Sequence, residues 1–340
     1  MFAMTPKIFR ASDLLHATLM NSLRARPRAG PETLSGKKMN ADSIRPVTDS
    51  IIRDDPVREG KCLLQTCFYE PSADAIRNPY IVRSSHRDLT MEDIQVMGVR
   101  GLPLIHAGDN IAAMICKQVP LRENDILCIA STIYSKAKGY TKTLSAITPS
   151  ERAVRLGNLN GEDPRFVQAV LDASTDIIME HPFILSELAF GHIGVRAGVD
   201  QSNIEDGMVI FLPPDPMKAA EEVRAEIRSI AGVDTGVIIT DTCGRSFRRG
   251  QTGNAVGWSG FPAIRDFRGD LDLFGHVLKI TEEAVVDEIA GFANFVMGES
   301  NNGVPAVVFR NCPRWAGHDN LYFTNNEDIT KRVLKKEWGQ

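Results

Sequence analysis

Residues 236–252 read GVIITDTCGRSFRRGQT, an apolar run that changes abruptly into a polar, glycine-rich and basic segment. The apolar run Gly236–Thr240 predicts a buried strand. Ligands of open α/β sheets bind outside the carboxyl ends of strands, so the residues that follow this strand are candidate site residues. Among them, Asp241 and Thr242 offer the hard oxygen ligands that Mg²⁺ and Mn²⁺ prefer.

The same segment carries three arginines, Arg245, Arg248 and Arg249. Forked guanidinium donors can hold a phosphate or a carboxylate, and the neighbouring glycines let the backbone approach an anion. In isolation, however, such a segment is more typical of a turn capped by Asp241 beside a solvated basic face. It becomes informative only in combination with other motifs.

Two further polar segments are candidate site elements. Asp200 and Asn203 follow a glycine and stand three residues apart, the spacing of one helical turn or a tight loop, so both can face one metal ion or nucleotide. Residues 297–303 form the polar, glycine-containing stretch MGESNNG. Each segment also fits a structural role, the first as an Asx turn with a helix cap and the second as an ordinary helix end.

Periodicity, capping residues and compact apolar runs predict alternating helices and strands. The predicted helices are Ile111–Val119, Asp163–Ser174, Asp215–Gly232 and Thr281–Met297. The other predicted strands are Asp125–Ser131, Met208–Leu212 and Ala306–Phe309. This mixture predicts an α/β or α+β fold.

The composition bounds the size of the fold and the kind of partner. With 340 residues, 43% of them hydrophobic, the chain can bury a substantial core, and we expect two lobes. A net charge of -4 gives no broad basic field for nucleic acid or an anionic membrane. The expected partners are therefore small molecules.

The domain organisation is expected to be uneven. Residues 1–90 are predicted to be a partly disordered N-terminal extension, in which Cys62–Tyr69 can add an edge strand. Residues 91–312 are expected to form the catalytic domain, with two interleaved lobes, and residues 313–340 a C-terminal tail. No apolar run is long enough to span a membrane, so a cytoplasmic protein without membrane association is expected.

Several familiar signatures are absent from the sequence. The six cysteines form no C-x-x-C pair, and the histidines show no H-E-x-x-H spacing, so neither a zinc site nor a disulfide framework is expected. There is also no G-x-x-x-x-G-K-[ST] loop and no G-x-G-x-x-G fingerprint. Any nucleotide site must therefore be built differently.

Read in order, the motifs resemble one known family, the coenzyme F-420:L-glutamate ligases, also called gamma-glutamyl ligases. The motifs that carry the resemblance are GLPLI at 101–105, SKAKG at 135–139, AGVDQSN at 197–203, TDTCGR at 240–245, DFRG at 266–269 and VMG at 296–298. Several ordered motifs with matching spacing are far more specific than any one of them. The match covers nearly two thirds of the chain.

The resemblance implies a mixed α/β, two-lobed fold, a homodimer and a GTP-dependent acid–amino acid ligase. Such an enzyme joins L-glutamate to the carboxylate of a cofactor precursor through an acyl phosphate. It also implies two Mg²⁺ or Mn²⁺ ions per site, with K⁺ as a further candidate cofactor.

Individual roles carry over by motif. Asp200 and Asp241 are implied to ligate one metal ion, and Thr242 and Glu299 a second. Lys136 and Arg245 are implied to hold anionic groups during catalysis. The implied nucleotide-contacting residues are Leu102, Pro103, Leu104, Ile105, Ser131, Thr132, Lys136, Asn203, Met297, Gly298, Ser300, Asn301 and Gly303.

The chain departs from the family pattern near the implied site. The family commonly has asparagine where this chain has Arg196, lysine where it has Thr132, and Pro-Trp where it has Ser246-Phe247. These departures leave open a paralogous ligase that acts on a different small carboxylate. The carboxylate and hydroxyl cluster alone also fits a metal-dependent phosphohydrolase, in which water replaces glutamate.

Overall fold

A computed structural model describes residues 94–323 and 327–338, all of which fall within the unit Pro71–Gln340. The whole of the expected N-terminal extension, including the edge strand expected at Cys62–Tyr69, lies outside the described residues. Within them no helix is both long and apolar enough to cross a bilayer.

The described residues contain strands from two to nine residues long. They are β1 Gln95–Val99, β2 Ile126–Ala130, β3 Thr141–Thr143, β4 Asp176–Met179, β5 Leu185–Glu187, β6 Ile193–Val195, β7 Met208–Ile210, β8 Gly236–Gly244, β9 Gln251–Ser259, β10 Ile264–Asp266, β11 Glu282–Glu283, β12 Ala306–Arg310 and β13 Gly317–His318.

The α-helices range from 8 to 16 residues. They are α1 Ile111–Gln118, α2 Ser131–Lys138, α3 Glu151–Asn160, α4 Pro164–Ala173, α5 Pro216–Ala231, α6 Val285–Met297 and α7 Ile329–Trp338. Helices and strands alternate along the chain, which confirms the expected mixed α/β class.

The central sheet has five strands in the order β1-β12-β2-β8-β9. Strands β2 and β8 are parallel, with Ala130 opposite Thr240, whereas the other neighbours are antiparallel. Smaller sheets are formed by β4-β5-β6, by β11-β10-β13 and by the pair β3-β7. The polypeptide that forms β4-β5-β6 lies between β2 and β8 in sequence.

Helices cover both faces of the central sheet, because successive residues of a strand point to opposite sides. Leu127 and Ile129 of β2 pack in one apolar cluster with residues of α1, α2 and α5. Ile126 and Cys128 of the same strand pack in a second cluster with residues of α6. The unbroken apolar run of β2 therefore reflects burial on both faces.

The helices that the sequence predicts from Asp-Pro pairs have the expected ends. The Asp163 and Asp215 side chains accept hydrogen bonds from the first-turn amides of α4 and α5, and a proline follows each of them. Gly232 closes α5 in the left-handed conformation. These boundaries are determined by local hydrogen bonds, which explains why the sequence reveals them.

Two predicted boundaries are wrong. The last long helix begins at Val285 rather than Thr281, because Glu282 and Glu283 form β11 and pair with β10. The strand predicted to end at Thr240 continues to Gly244, because residues 241–244 remain paired with β9. Both errors arise because strand pairing with distant residues decides the boundary.

A buried ion pair joins the edges of two central strands. Arg310 at the end of β12 donates to both carboxylate oxygens of Asp125, over 2.9 and 2.7 Å, and to the Pro120 carbonyl over 2.9 Å. The Asp125 side chain is 1% exposed and that of Arg310 is 7% exposed. Each charge therefore depends on the other for its partner, since neither can be solvated.

Replacing Arg310 by methionine is expected to lower the free energy of unfolding by about 3–5 kcal/mol, because Asp125 is left as an uncompensated buried charge. Urea denaturation of the purified variant measures the change. Arg268→Met, which breaks an exposed ion pair with Asp266, is the control and should cost much less. Equal losses in the two variants would contradict a special role for the buried pair.

Candidate functional site

Several loops converge at one edge of the central sheet. Strands β1 and β2 end there at Val99 and Ala130, and β12 begins there at Ala306, as the register pairs Val99 and Ile129 with Ala306. The loop after β1, the start of α2 and the loop before β12 therefore emerge side by side. These loops contain most of the nucleotide-contacting residues implied by the sequence.

The β8–β9 hairpin extends beyond this edge. The parallel pairing ends at Ala130 and Thr240, so Asp241–Gly244 have β9 on one side and no strand on the other. A β-bulge interrupts the β8–β9 register between Ile239 and Thr240, immediately before Asp241. Bulges commonly re-aim side chains beside functional sites. The overhang places Asp241 and Thr242 at the carboxyl end of β2.

Asp241 is held against the start of α2. Its Oδ1 atom accepts a hydrogen bond from Ser131 Oγ over 3.1 Å. Burial raises the pKa of the Asp241 carboxyl to about 6, and the charges of Asp200 and Glu299 add to the rise. Hydrogen bonds from Ser131 Oγ and the Thr242 amide oppose it. Asp200 and Glu299 therefore lie close enough to Asp241 for their charges to disfavour its ionisation.

A tight turn at residues 196–198 brings Asp200 to this cluster. Arg196, Ala197 and Gly198 all have positive φ angles. A β-carbon at Gly198 would lie 2.5 Å from Leu212, so glycine lets the turn pack closely against that side chain, and the same β-carbon position lies 3.5 Å from Asp241 Oδ2. Asp200 then follows within two residues.

Arg196 points away from the carboxylate cluster. Its guanidinium forms an ion pair with Glu162 and lies 5.7 Å from the ring centre of Phe166. This departure from the family pattern thus anchors the tight turn to α4 and its preceding loop. Asp200 itself accepts hydrogen bonds from the Gln201 amide, over 2.7 Å, and from the Ser202 hydroxyl.

Thr242 and Glu299 meet on the other face of the hairpin, as expected for a residue adjacent to Asp241 in a strand. Thr242 Oγ1 donates to Glu299 Oε1 over 2.9 Å. Asn294 on α6 donates to Thr242 Oγ1 over 3.2 Å and also to Glu299. Sequence reasoning missed Asn294, and only its place one turn before the MGESNNG segment could have suggested it.

The carboxylates Asp200, Asp241 and Glu299, together with the Thr242 hydroxyl, fit divalent cations. They supply only oxygen ligands, which Mg²⁺ and Mn²⁺ prefer, and no described Lys or Arg side chain forms an ion pair with any of the three carboxylates. Burial is the main cause of the raised pKa of Asp241, and the neighbouring charges of Asp200 and Glu299 add to it.

Lys136 lies beside this cluster on α2. Its ammonium group donates to the carbonyl of Asn203, which joins the helix to the Asp200 segment. Lys136 and Ile105 also line a cleft of about 270 Å³, together with His106, Ala107, Thr141, Ile204, Glu205 and Met208. The structure thus brings together Lys136, Asn203 and the GLPLI segment, as the sequence implies.

The GLPLI segment combines buried anchors with an exposed tip. Ile105 is buried and Leu102 packs against the core, whereas Pro103 and Leu104 are exposed. Leu104 is 80% exposed. Thr132 is half-buried in the first turn of α2, next to Ser131.

The segment Met297–Gly303 turns sharply from α6 into β12. Gly298 has a φ of 70°, and a β-carbon there would lie 2.0 Å from Asn302 Nδ2. Asn302 in turn donates to the Met297 carbonyl over 3.1 Å. Ser300, Asn301 and Gly303 are exposed at the same sheet edge as the GLPLI segment.

Arg245 occupies a different position from the other implied residues. It lies beyond Gly244 at the tip of the β8–β9 hairpin, where its guanidinium donates to the Arg249 carbonyl over 3.3 Å. The described structure shows no contact between Arg245 and the carboxylates.

The C-terminal segment packs against the β8–β9 hairpin. Tyr322 lies 6.1 Å from His192 and 6.5 Å from Trp258 between ring centres. His192 is buried, which lowers its pKa to about 4, and it lies 3.9 Å from Cys243 Sγ. Asp319 accepts hydrogen bonds from the Trp258 indole, over 2.9 Å, and from a backbone amide.

Another cluster of carboxylates and histidine forms only in the tertiary structure. Asp266, Glu282 and His318 present ligand atoms within 4.8 Å of one another. Arg268, however, contacts both carboxylates, at 2.6 and 3.2 Å, and lowers the pKa of Asp266 to about 2. Arg268 therefore already compensates part of the negative charge of this cluster.

Asp241→Asn is expected to stabilise the metal-free protein at neutral pH. Because the folded-state pKa of Asp241 is raised, the wild type loses stability as pH rises from about 4 through about 6, whereas the variant does not. The variant should gain about 2–3 kcal/mol at pH 8 and almost nothing at pH 4. Denaturant titrations in the presence of a chelator measure the free energy of unfolding of both proteins at each pH. A difference between variant and wild type that does not change with pH would contradict the raised pKa of Asp241.

The chain was compared with known families and proteins. The family model described as F420-0:Gamma-glutamyl ligase matches residues 99–311. A coenzyme F420:L-glutamate ligase of Archaeoglobus fulgidus is 43% identical over 245 residues, which covers 72% of this chain and 98% of that protein.

Other relatives agree in name and coverage. The coenzyme F420:L-glutamate ligase of Halobacterium salinarum is 43% identical over 251 residues, with 71% of this chain and 97% of the relative covered. That of Methanosarcina mazei is 41% identical over 245 residues, with 71% and 96% covered. The matched region contains every residue of the carboxylate cluster. The chain therefore belongs to the F420-0:gamma-glutamyl ligase family.

Proposed function

We propose that the protein is a GTP-dependent ligase that forms an amide between L-glutamate and the carboxylate of F420-0 or a closely related acceptor. The observation that carries this proposal is the convergence of Asp200, Asp241, Thr242 and Glu299 at one sheet edge in a member of this family. The names of the relatives supply the reaction class.

Two divalent cations, Mg²⁺ or Mn²⁺, are proposed to bind at the cluster. Asp200 and Asp241 would hold one, and Thr242 and Glu299 the other, on the two faces of the hairpin. When bound, such ions neutralise charge on the transferring phosphoryl group. Asn294 orients Thr242 and Glu299 through its amide, and Ser131 orients Asp241.

GTP is proposed to occupy the loops beside the cluster. The GLPLI segment, the start of α2 and the segment Met297–Gly303 emerge side by side and can enclose a base and its phosphates. Backbone amides at the start of α2 point toward this space and attract anions. Lys136, half-buried in the cleft next to Ile105, supplies the positive charge that a P-loop lysine supplies elsewhere.

The reaction needs two bond exchanges. A carboxylate oxygen of the acceptor attacks the γ-phosphorus of GTP, and the bond to the β-phosphate oxygen breaks to release GDP. The glutamate amine then attacks the acyl carbon, loses a proton, and expels inorganic phosphate. The protein contributes orientation and charge stabilisation rather than a nucleophile, which suits a site with several carboxylates and no activated Ser or Cys.

Incubation of the purified protein with GTP, Mn²⁺, glutamate and F420-0, followed by mass spectrometry, is expected to reveal a glutamyl increment on the acceptor. Asp241→Asn and Glu299→Gln should each reduce turnover by about 100-fold or more, because charge stabilisation in the phosphoryl transfer is lost. Glu221→Gln, an exposed substitution on α5, is the matched control and should retain activity.

The competing outcomes are distinct. Phosphate release that does not require glutamate would contradict the ligase and favour a metal-dependent phosphohydrolase. Retention of wild-type turnover in Asp241→Asn would contradict the proposed cation ligands. Binding of GTP and Mn²⁺ without modification of F420-0 would favour a ligase with another carboxylate acceptor.

A homodimer is also proposed, and the exposed loop between β10 and β11 supports it. Leu273, Phe274 and Ile280 on this loop are 95%, 84% and 86% exposed. Contiguous apolar side chains of this size are unusual on the surface of a monomer. A second copy of the chain is the proposed partner, since the resemblance implies a dimer.

The double substitution Leu273→Asp and Phe274→Asp is expected to yield a monomer, because charged side chains cannot be buried without partners in an apolar interface. Size-exclusion chromatography with light scattering measures the mass. Leu159→Asp, at a 48% exposed position on α3, is the control and should leave the mass of the wild type unchanged. A monomeric wild type would contradict the proposal.

A further inference from the structure

The tip of the β8–β9 hairpin presents an aromatic ring that packs on nothing in the described structure. Phe247 is 101% exposed, more than any other large apolar residue described. Its φ of 64° lies in the left-handed region, which costs a residue with a β-carbon about 1–2 kcal/mol. The backbone conformation of Phe247 therefore lowers the stability of the isolated chain, and its ring adds no packing contact within the described structure.

Three arginines lie within two residues of Phe247 in the sequence. Arg245, Arg248 and Arg249 are all exposed, and within the described residues none of them pairs with a carboxylate. The Arg245 guanidinium donates only to the Arg249 carbonyl, across the turn. Arg224, by contrast, forms an ion pair with Asp234. The tip is therefore a concentrated positive charge available to an anion.

The position of the tip separates it from the proposed nucleotide loops. The tip joins β8 to β9 at one side of the sheet, whereas the segments at β1 and β12 lie beyond β2, and only the start of α2 adjoins β8. With about 4.8 Å between strands, β1 and β9 lie about 19 Å apart along the edge. Asp241 and Thr242 lie between the two.

The distance along the hairpin matches a second substrate. Arg245 follows Thr242 by three residues, which corresponds to about 10 Å of extended chain. A molecule whose carboxylate reaches the carboxylate cluster from the hairpin side therefore extends past the arginines toward Phe247. Phosphoryl transfer requires the attacking carboxylate to approach from the side opposite the leaving nucleotide.

We propose that the hairpin tip, residues 245–250, binds the acceptor of the ligation, and that this acceptor carries an anionic group and a planar aromatic ring. Arg248 and Arg249 hold the anionic group with forked hydrogen bonds, and Phe247 stacks on the ring. This inference rests on the proposed ligase function and assigns the acceptor, rather than the nucleotide, to the tip.

The assignment makes Phe247 and the two arginines specificity-determining residues. Because they contact the acceptor and not the nucleotide, their loss should raise the KM for the acceptor alone. A merely structural tip would instead affect both substrates equally through the shared strand β8, which carries Asp241 and Thr242.

The test is steady-state kinetics of the full-length protein with F420-0 as the acceptor. Phe247→Ala is expected to raise the acceptor KM by about tenfold, as loss of an aromatic stack commonly does, and to leave the GTP KM within about twofold. Phe247→Trp retains a stacking surface and should stay within about threefold of the wild type.

The charge is tested separately. The double variant Arg248→Gln and Arg249→Gln is expected to raise the acceptor KM by about tenfold and to flatten its dependence on salt concentration, because the screened attraction is removed. Arg228→Gln, at an exposed position on α5, is the matched control and should change neither KM.

Three results would overturn the inference: unchanged acceptor KM in Phe247→Ala, equal rises in the acceptor and GTP KM values, or a salt dependence that survives the double arginine substitution. Direct binding separates this outcome from failure of the proposed function. If the wild type binds F420-0 in equilibrium dialysis and Phe247→Ala does not, the tip assignment holds even where no glutamyl product forms. If the wild type does not bind F420-0, the assignment fails.

Discussion

The parallel pairing of β2 with β8 is the constraint on which the site depends. This register aligns Ala130 with Thr240. The start of α2 therefore lies beside the point where β8 loses its pairing with β2 and continues paired with β9 only. Ser131 can then donate to Asp241 from a helix that begins directly after its own strand. A shift of one residue would turn Asp241 to the opposite face of the hairpin and separate it from Ser131.

Close packing of α6 against β9 then positions the second half of the cluster, Thr242 and Glu299. A β-carbon at Gly253 would lie 2.4 Å from the Ala290 carbonyl, so the glycine lets α6 approach β9 more closely than any side chain would permit. That approach places Asn294 over Thr242 and positions the segment that carries Glu299. The two faces of one hairpin thus receive hydrogen bonds from different helices, from Ser131 of α2 on one face and from Asn294 of α6 on the other.

The raised pKa of Asp241 implies that its ionised carboxylate lowers the stability of the metal-free fold at neutral pH, whereas buried apolar surface raises it. The C-terminal segment contributes on the same side, since Asp319 and Tyr322 fasten β9 through Trp258. Lys331 on α7 adds a contact to Glu187 over 2.6 Å. Asp319 and Tyr322, which belong to the expected C-terminal tail, therefore pack against β9 of the hairpin.

The sequence alone determined the features that depend on local interactions or on ordered motifs. Capping aspartates and prolines defined α4 and α5, apolar runs located β2 and the buried half of β8, and the motif order identified the family. The tertiary structure decided the length of β8, the role of Asn294, the pairing of Arg196 with Glu162 and the isolation of Phe247. Each of these depends on residues that are distant in sequence and become neighbours only when the strands pair, so no local pattern records them.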